Sequence, residues 1–202
     1  RIGQSKRKSK SRMLSYNELK PGKYIIIDNE PWIVEIFEFL RMQQRKPVAK
    51  TKLKNLINGR VQERTFHPND SIEEAELGKM PVRFIYESRG AYWFDEIGNP
   101  QNRFSFKKEE IDNIVDFLKS NMELTAVIFQ DKIISVELPV KADYKVIEAP
   151  PAIKGDTAQG GSKTVTIESG AKISAPLFIN EGDIIRVNTQ TKEYVERAEK
   201  GK

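Results

Sequence analysis

The chain contains no cysteine, and histidine occurs once, at His67. With no thiol there is no disulfide framework and no thiolate metal site, which fits a reducing compartment. With one imidazole and no second candidate base, neither a histidine-based metal centre nor a Ser/His or Cys/His pair can be assembled. His67 precedes Pro68 at the end of a strand pattern, where a structural or surface role is the simpler reading. Long apolar runs are also missing. "YIII" and "AVIF" fall far short of the ~20 residues a membrane helix needs, and the N-terminus lacks the apolar core of a secretory leader. A cytoplasmic protein with no membrane partner is expected.

Helical periodicity is scarce as well. Only "KKEEIDNIVDFLKSN" places apolar residues (Ile111, Ile114, Val115, Leu118) at helical spacing. Acid pairs at Glu73-Glu74 and Glu109-Glu110 are neighbours in sequence. On a helix they would point about 100° apart, a poor arrangement for sharing a proton. "GDTAQGGSK" at 155–163 is glycine-rich but lacks the spacing and the Gly-Lys-Ser/Thr ending of a phosphate-binding loop. No residue set carries an enzyme's chemistry, and no cofactor or metal is expected.

What the sequence does have is short strand-like segments separated by turn residues. They are "KYIIIDN", "WIVEIFEF", "AKTKLKNL", "RVQERTF", "PVRFIYES", "AYWFDE", "LTAVIFQ", "KIISVEL", "YKVIEA", "KTVTIES", "KISAPLFI", "DIIRVNT" and "EYVERA". Recurrence every 8–12 residues points to an all-β chain of barrels or sandwiches rather than βα units. The composition, 38% hydrophobic and 31% charged over 202 residues, supplies enough apolar side chains for several small cores. Boundaries fall best near Leu77-Gly78 and Lys141-Ala142. They give a basic, disordered extension at 1–12 and blocks at 13–77, 78–141 and 142–202, each the size of a five- or six-stranded barrel. Without a flexible linker, the three blocks should stack end to end as an elongated rod. Met13 sits where a natural start would, so residues 1–12 read as native extension or addition.

The net charge of +5 is unevenly placed. Residues 1–12 are basic without an acid, and between 41 and 64 the only acid is Glu63. "RMQQRKPVAK" at 41–50 carries Arg41, Arg45, Lys46 and Lys50, two glutamines and one proline, between two strand-like segments. It reads as a hairpin tip. The following strand closes on Asn58-Gly59, a pair suited to a tight turn. Alternation along that strand puts Lys50, Lys52 and Lys54 on one face and Ala49, Thr51, Leu53 and Asn55 on the other. The lysines form a comb at roughly 6.6–6.8 Å intervals. A basic cluster of this kind is the electrostatic footprint of a nucleic-acid binder; the bland alternative is an edge strand protected by lysines. A general RNA-binding or RNA-chaperone protein would need exposed stacking aromatics. Since Tyr92, Trp93 and Phe94 are consecutive, at least one of them must enter a core.

These residues resemble the bacterial elongation factor P family and its archaeal and eukaryotic initiation factor five-A relatives. "YNELKPGKYIIIDNEPWIVEIFEF" is similar to the family's opening, and "TKLKNLINGRVQERTF" to the strands after its functional loop. In the third block Lys163, Val165, Gly170, Ile173, Pro176, Ile179 and Gly182 fall at the family signature's spacing, with Ala175 where valine is usual. "GDTAQGGSK" matches the loop that opens the signature and "GDIIRVNTQTKEYVERA" its closing strands. The resemblance implies an SH3-like, KOW-type domain followed by two OB-folds, in a monomer shaped like a transfer RNA. It implies binding to ribosomal RNA of both subunits between the P and E sites, beside the P-site peptidyl-tRNA and the E-site codon. There the factor would relieve stalling at consecutive prolines by positioning the peptidyl-tRNA. The implied contacts are the tip residues Gln43, Gln44, Arg45, Lys46 and Pro47 near the peptidyl-transferase centre. RNA contacts would come from Arg41, Lys50, Lys52, Lys54, Gly155, Asp156, Thr157, Lys163 and Arg186. The family's tip lysine, commonly modified, aligns with Gln44, which cannot take such a modification. Either Arg45 or Lys46 takes over, or the loop works unmodified.

Overall fold

The computed structural model describes residues 12–41, 46–151 and 161–201. Its elements are sixteen strands and one α-helix, arranged in three antiparallel sheets. By density of contacts the chain divides into two compact units, Arg1–Lys79 with Val127–Ser135 and Met80–Ala126 with Val136–Lys202.

The first sheet has the order β1-β6-β2-β3-β4-β5. It is built from Met13–Leu14 (β1), Tyr24–Ile27 (β2), Glu30–Leu40 (β3), Val48–Asn55 (β4), Val61–Phe66 (β5) and Ile72–Glu74 (β6). Its core gathers Leu14, Leu19, Ile25, Ile27, Trp32, Val34, Ala49, Leu53, Phe66 and Ile72, with Tyr16 and Phe37 packed against them. Each large side chain removed from water here contributes ~1.5–3 kcal/mol.

The second sheet runs β11-β10-β7-β8-β9. Its strands are Gly78–Ser88 (β7), Ala91–Glu96 (β8), Asn99–Lys107 (β9), Glu123–Phe129 (β10) and Lys132–Glu137 (β11), with helix α1 (Lys108–Val115) between β9 and β10. Five strands with a helix between the third and fourth is the connectivity of an OB barrel. Val82, Phe84, Phe94, Ile111, Ile114, Phe117 and Leu124 are buried.

The third sheet, β14-β13-β12-β15-β16, consists of Lys141–Glu148 (β12), Ser162–Ile167 (β13), Lys172–Pro176 (β14), Ile184–Asn188 (β15) and Glu193–Glu199 (β16). Tyr144, Val146, Val165, Ile167, Ile173, Ile185 and Val187 fill its core. The Tyr144 hydroxyl donates to the Phe117 carbonyl at 2.9 Å. Burial above all, and then the Glu168 carboxylate, push that phenol well above its ordinary value. Lys119 Nζ donates to the Asp143 carbonyl at 2.6 Å and to Glu168 Oε1 at 3.0 Å, tying the segment after α1 to the same strands.

The all-β expectation holds, and each of the quoted segments lies on a strand. Three local expectations need correction. Strands β1, β6 and β9 stand outside the expected segments; β9 opens with "NPQNR", which is polar and fully exposed because β9 is an edge. The helix ends at Val115 rather than running on to Asn121, and Ile111 (φ −130, ψ 20) already departs from helical geometry. Beyond it, Phe117 N–H donates to Ile114 O and Leu118 N–H to Val115 O, tight turns that drive both side chains into the core. The Asn58-Gly59 connection is a five-residue loop, 56–60, rather than a two-residue turn. Buried Asn55 organises it: its Oδ1 accepts from the N–H groups of Ile57 (2.8 Å) and Asn58 (3.0 Å), while its Nδ2 donates to Glu30.

Candidate nucleic-acid interface

The β3–β4 ladder runs from Trp32↔Asn55 to Leu40↔Val48, so residues 41–47 connect its far end. A register shift between Val34 and Ile36 leaves Glu35 as an extra residue on β3. That bulge reverses the alternation of the strand. Trp32 and Val34 face the core before it; Phe37 and Phe39 take the same face after it, opposite Thr51 and Ala49. Ile36, on the opposite face, is 47% exposed. Toward the connection the core thins out: Phe39 is 46% exposed and stacks on Tyr16 at 6.0 Å.

Strand β4 alternates as expected. Ala49, Thr51, Leu53 and Asn55 are buried; Lys50 and Lys54 are exposed and Lys52 is half-buried. Thr51, a polar residue on the core face, is satisfied by donating to the Arg64 carbonyl at 2.9 Å. The comb does not stand alone. Glu38 lies opposite Lys50, and Glu63 opposite Lys52, while Lys54 sits between Ile33 and Val61. Together with Ile36, Thr51, Arg64 and Thr65, those two lysines and two glutamates line a concave site of about 520 Å³. The strand face is therefore of mixed charge, and only Lys54 of the three lysines has no acid across the ladder. Sequence spacing alone does not reveal the two glutamates, because their partnership exists only across the ladder.

At the connection, Arg41 and Lys46 are exposed and Pro47 is half-buried. Gln43, Gln44 and Arg45 lie outside the described residues, as do Gly155, Asp156 and Thr157 in the third block. Lys163, on β13, donates its Nζ to the Pro150 carbonyl at 3.0 Å. Arg186, on β15, is gripped by two carboxylates. Its Nε and Nη2 donate to Asp143 at 2.7 and 3.0 Å, and its Nη1 to Glu196 at 2.6 Å. The hydrogen bonds it donates to Asp143 first, with the one to Glu196 adding to them, hold the guanidinium above its already high ordinary value. It is a planar cation fixed across three strands, its charge already matched. Lys163 and Arg186 are not brought together, since β12 lies between β13 and β15.

His67 is exposed beside Asp70, whose carboxylate accepts from the His67 backbone N–H at 2.8 Å. Among the described residues no three His, Cys, Asp or Glu side chains are placed to hold a metal ion, and no helix is long and apolar enough to cross a membrane.

The family model for the elongation factor P KOW-like domain matches residues 15–72, which is nearly the span of the first sheet. The model for the elongation factor P C-terminal domain matches residues 142–197, the third sheet. An elongation factor P from Natranaerobius thermophilus is 36% identical over 185 residues, covering 92% of this chain and 98% of that protein. The chain belongs to the elongation factor P family. Another elongation factor P, from Prochlorococcus marinus, is 38% identical over 188 residues, covering 92% of this chain and 99% of the relative. In fold, the chain is similar to the solved structure of eukaryotic translation initiation factor 5A from Methanococcus jannaschii. That likeness has a TM-score of 0.50 at 11% identity, over 63% of this chain and 95% of the other. This member of the elongation factor P family is accordingly a translation elongation factor.

Proposed function

We propose that this factor binds the ribosome between the P and E sites and promotes peptide-bond formation at consecutive prolines by steadying the peptidyl-tRNA. The observation that carries the reading is the β3–β4 hairpin. It is anchored in a core at one end and ends in the basic connection 41–47 at the other. Eight residues at ~3.3 Å give roughly 26 Å of reach. Pro47 fixes its own φ and restricts Lys46 to extended backbone, which stiffens the descending side. A stiff, cationic projection can lower the entropy of a substrate without supplying a reacting group, and positioning alone accounts for large rate factors. The factor then acts as a monomer in the cytoplasm, where translation takes place, through three domains at 13–77, 78–141 and 142–202.

In this reading the tip, centred on Gln44 and Arg45, works unmodified. Two glutamine amides donate and accept hydrogen bonds, and a guanidinium suits phosphate or base stacking better than an ammonium does. Gly155, Asp156, Thr157, Lys163 and Arg186 would also meet RNA, Lys163 and Arg186 at separate points of the third sheet. Co-sedimentation with ribosomes over a salt series tests the hairpin's part. The Lys50→Ala/Lys52→Ala/Lys54→Ala variant is expected to bind more weakly and with a shallower salt slope, because every phosphate left without its lysine takes ~0.7–0.9 off that slope. An unchanged slope would reduce the comb to an edge-strand defence.

A further inference from the structure

The three consecutive aromatics of β8 divide between the two faces of the second sheet. Phe94 is buried in the barrel, 5.4 Å from Phe84 and 5.5 Å from Phe104. Tyr92 lies on that side too, paired with Phe106 across β9 and 6.1 Å from Phe84. Trp93 points the other way. A register shift between Phe84 and Tyr86 leaves Ile85 as an extra residue on β7 and brings Tyr86 directly opposite Trp93. Their rings lie 6.4 Å apart at 30°. Tyr86 is 43% exposed and Trp93 half-buried, so the pair forms a partly open aromatic ledge.

The ledge is bordered by cations. On β9, Ser105 lies opposite Trp93, and Arg103 and Lys107 occupy the next positions on the same face, both exposed. On β7, Arg83 grips Asp95 with Nε at 3.1 Å and Nη2 at 2.7 Å. Asp95 is the one carboxylate among these outward positions; it is buried and already matched by Arg83. The face therefore offers stacking surfaces on β7 and β8 and two exposed cations, Arg103 and Lys107, on either side of Ser105 on β9. An OB barrel takes single strands on these same strands, its second and third.

We propose that the outer face of β7, β8 and β9 binds single-stranded RNA, with bases stacked on Trp93 and Tyr86 and phosphates held by Arg103 and Lys107. RNA, rather than another polyanion, follows from the combination of flat aromatic surfaces with exposed cations on one face of a translation factor. The site is separate in sequence and sheet from the β3–β4 hairpin and does not depend on the reading given for that hairpin.

The test uses the full chain carrying Lys50→Ala/Lys52→Ala/Lys54→Ala, so that the hairpin does not dominate binding, and an eight-nucleotide oligouridylate as the probe. Trp32 is 1% exposed, so quenching of tryptophan emission on titration reports Trp93. Read by the anisotropy of a labelled oligouridylate, Trp93→Ala and Tyr86→Ala should each weaken binding about 5- to 100-fold, the range that loss of one stacked base gives. Trp93→Phe should recover much of it. Arg103→Ala/Lys107→Ala replaces two exposed side chains, leaves the fold intact and should lower the salt slope by about 1.4, at ~0.7 per phosphate for a single strand. An affinity that neither aromatic substitution changes would overturn the proposal. So would absent quenching, an unaltered salt slope, or Trp93-dependent self-association in the ultracentrifuge in place of RNA binding.

Discussion

Asp183 is 2% exposed yet keeps its charge. Burial alone would favour the neutral acid. Backbone N–H groups of Asn180 (2.9 Å) and Gly201 (2.7 Å) and the Arg197 guanidinium (3.6 Å) outweigh that cost, and the carboxyl lies below its ordinary value. The close approach is possible because residue 201 is glycine: a Cβ there would stand 2.6 Å from the Gly182 carbonyl carbon. In the folded state this carboxyl binds fewer protons than in the unfolded chain. Its contribution is therefore complete above the unfolded value near ~3.9 and disappears as pH falls through the lower, folded one. Asp183→Asn should cost ~1–3 kcal/mol at neutral pH, the usual penalty for a poorly satisfied buried group. It should also flatten the acid limb of a thermal-unfolding series between pH 2 and 5. An acid limb identical to that of the parent would remove Asp183 as its source. Gly201→Ala should destabilise at every pH in the same series, since its clash is steric and carries no proton.

The hairpins show how connection chemistry and strand pattern interact. Three two-residue connections, Asp28-Asn29, Arg89-Gly90 and Gln130-Asp131, have both residues at positive φ, the geometry that matches the twist of paired strands. Gln130 (φ 49) is the poorest fit, because a long side chain gains nothing from that conformation. Gln130→Asn with Asp131→Gly should raise stability by ~0.5–1 kcal/mol, read as an increase in denaturation midpoint at unchanged slope. The alternation of β4 was legible in the sequence because every second residue from Ala49 to Asn55 is one a core can hold. Strand β3 was legible as a strand but not in its facing, since an extra Glu35 cannot be told from a regular residue until the partner strand is known. Strand β9 was hidden by its polarity. The same limit applies at the candidate interface. Lys50, Lys52 and Lys54 could be placed on one face from spacing alone, whereas Glu38, Glu63 and the Tyr86–Trp93 ledge emerge only from cross-strand register.

For the molecule as a whole, charge placement links the sequence to the role of the family. The excess of +5 is concentrated in residues 1–12 and in the hairpin region 41–64 rather than spread over three sheets. Within that region, acids lie across the ladder from two of the comb lysines, Glu38 from Lys50 and Glu63 from Lys52. The central claim is that the connection 41–47 acts by position and charge, with no adduct required. The direct measurement is translation of a consecutive-proline reporter in a reconstituted system, using recombinant protein confirmed as unmodified by intact mass. The account predicts rescue of the stalled product by this protein, reduced about tenfold or more by Arg45→Ala, in line with the ~1.5–3 kcal/mol of a charge-assisted hydrogen bond. Failure of the unmodified protein to rescue, with activity in material purified from the native host and carrying an adduct, would contradict it.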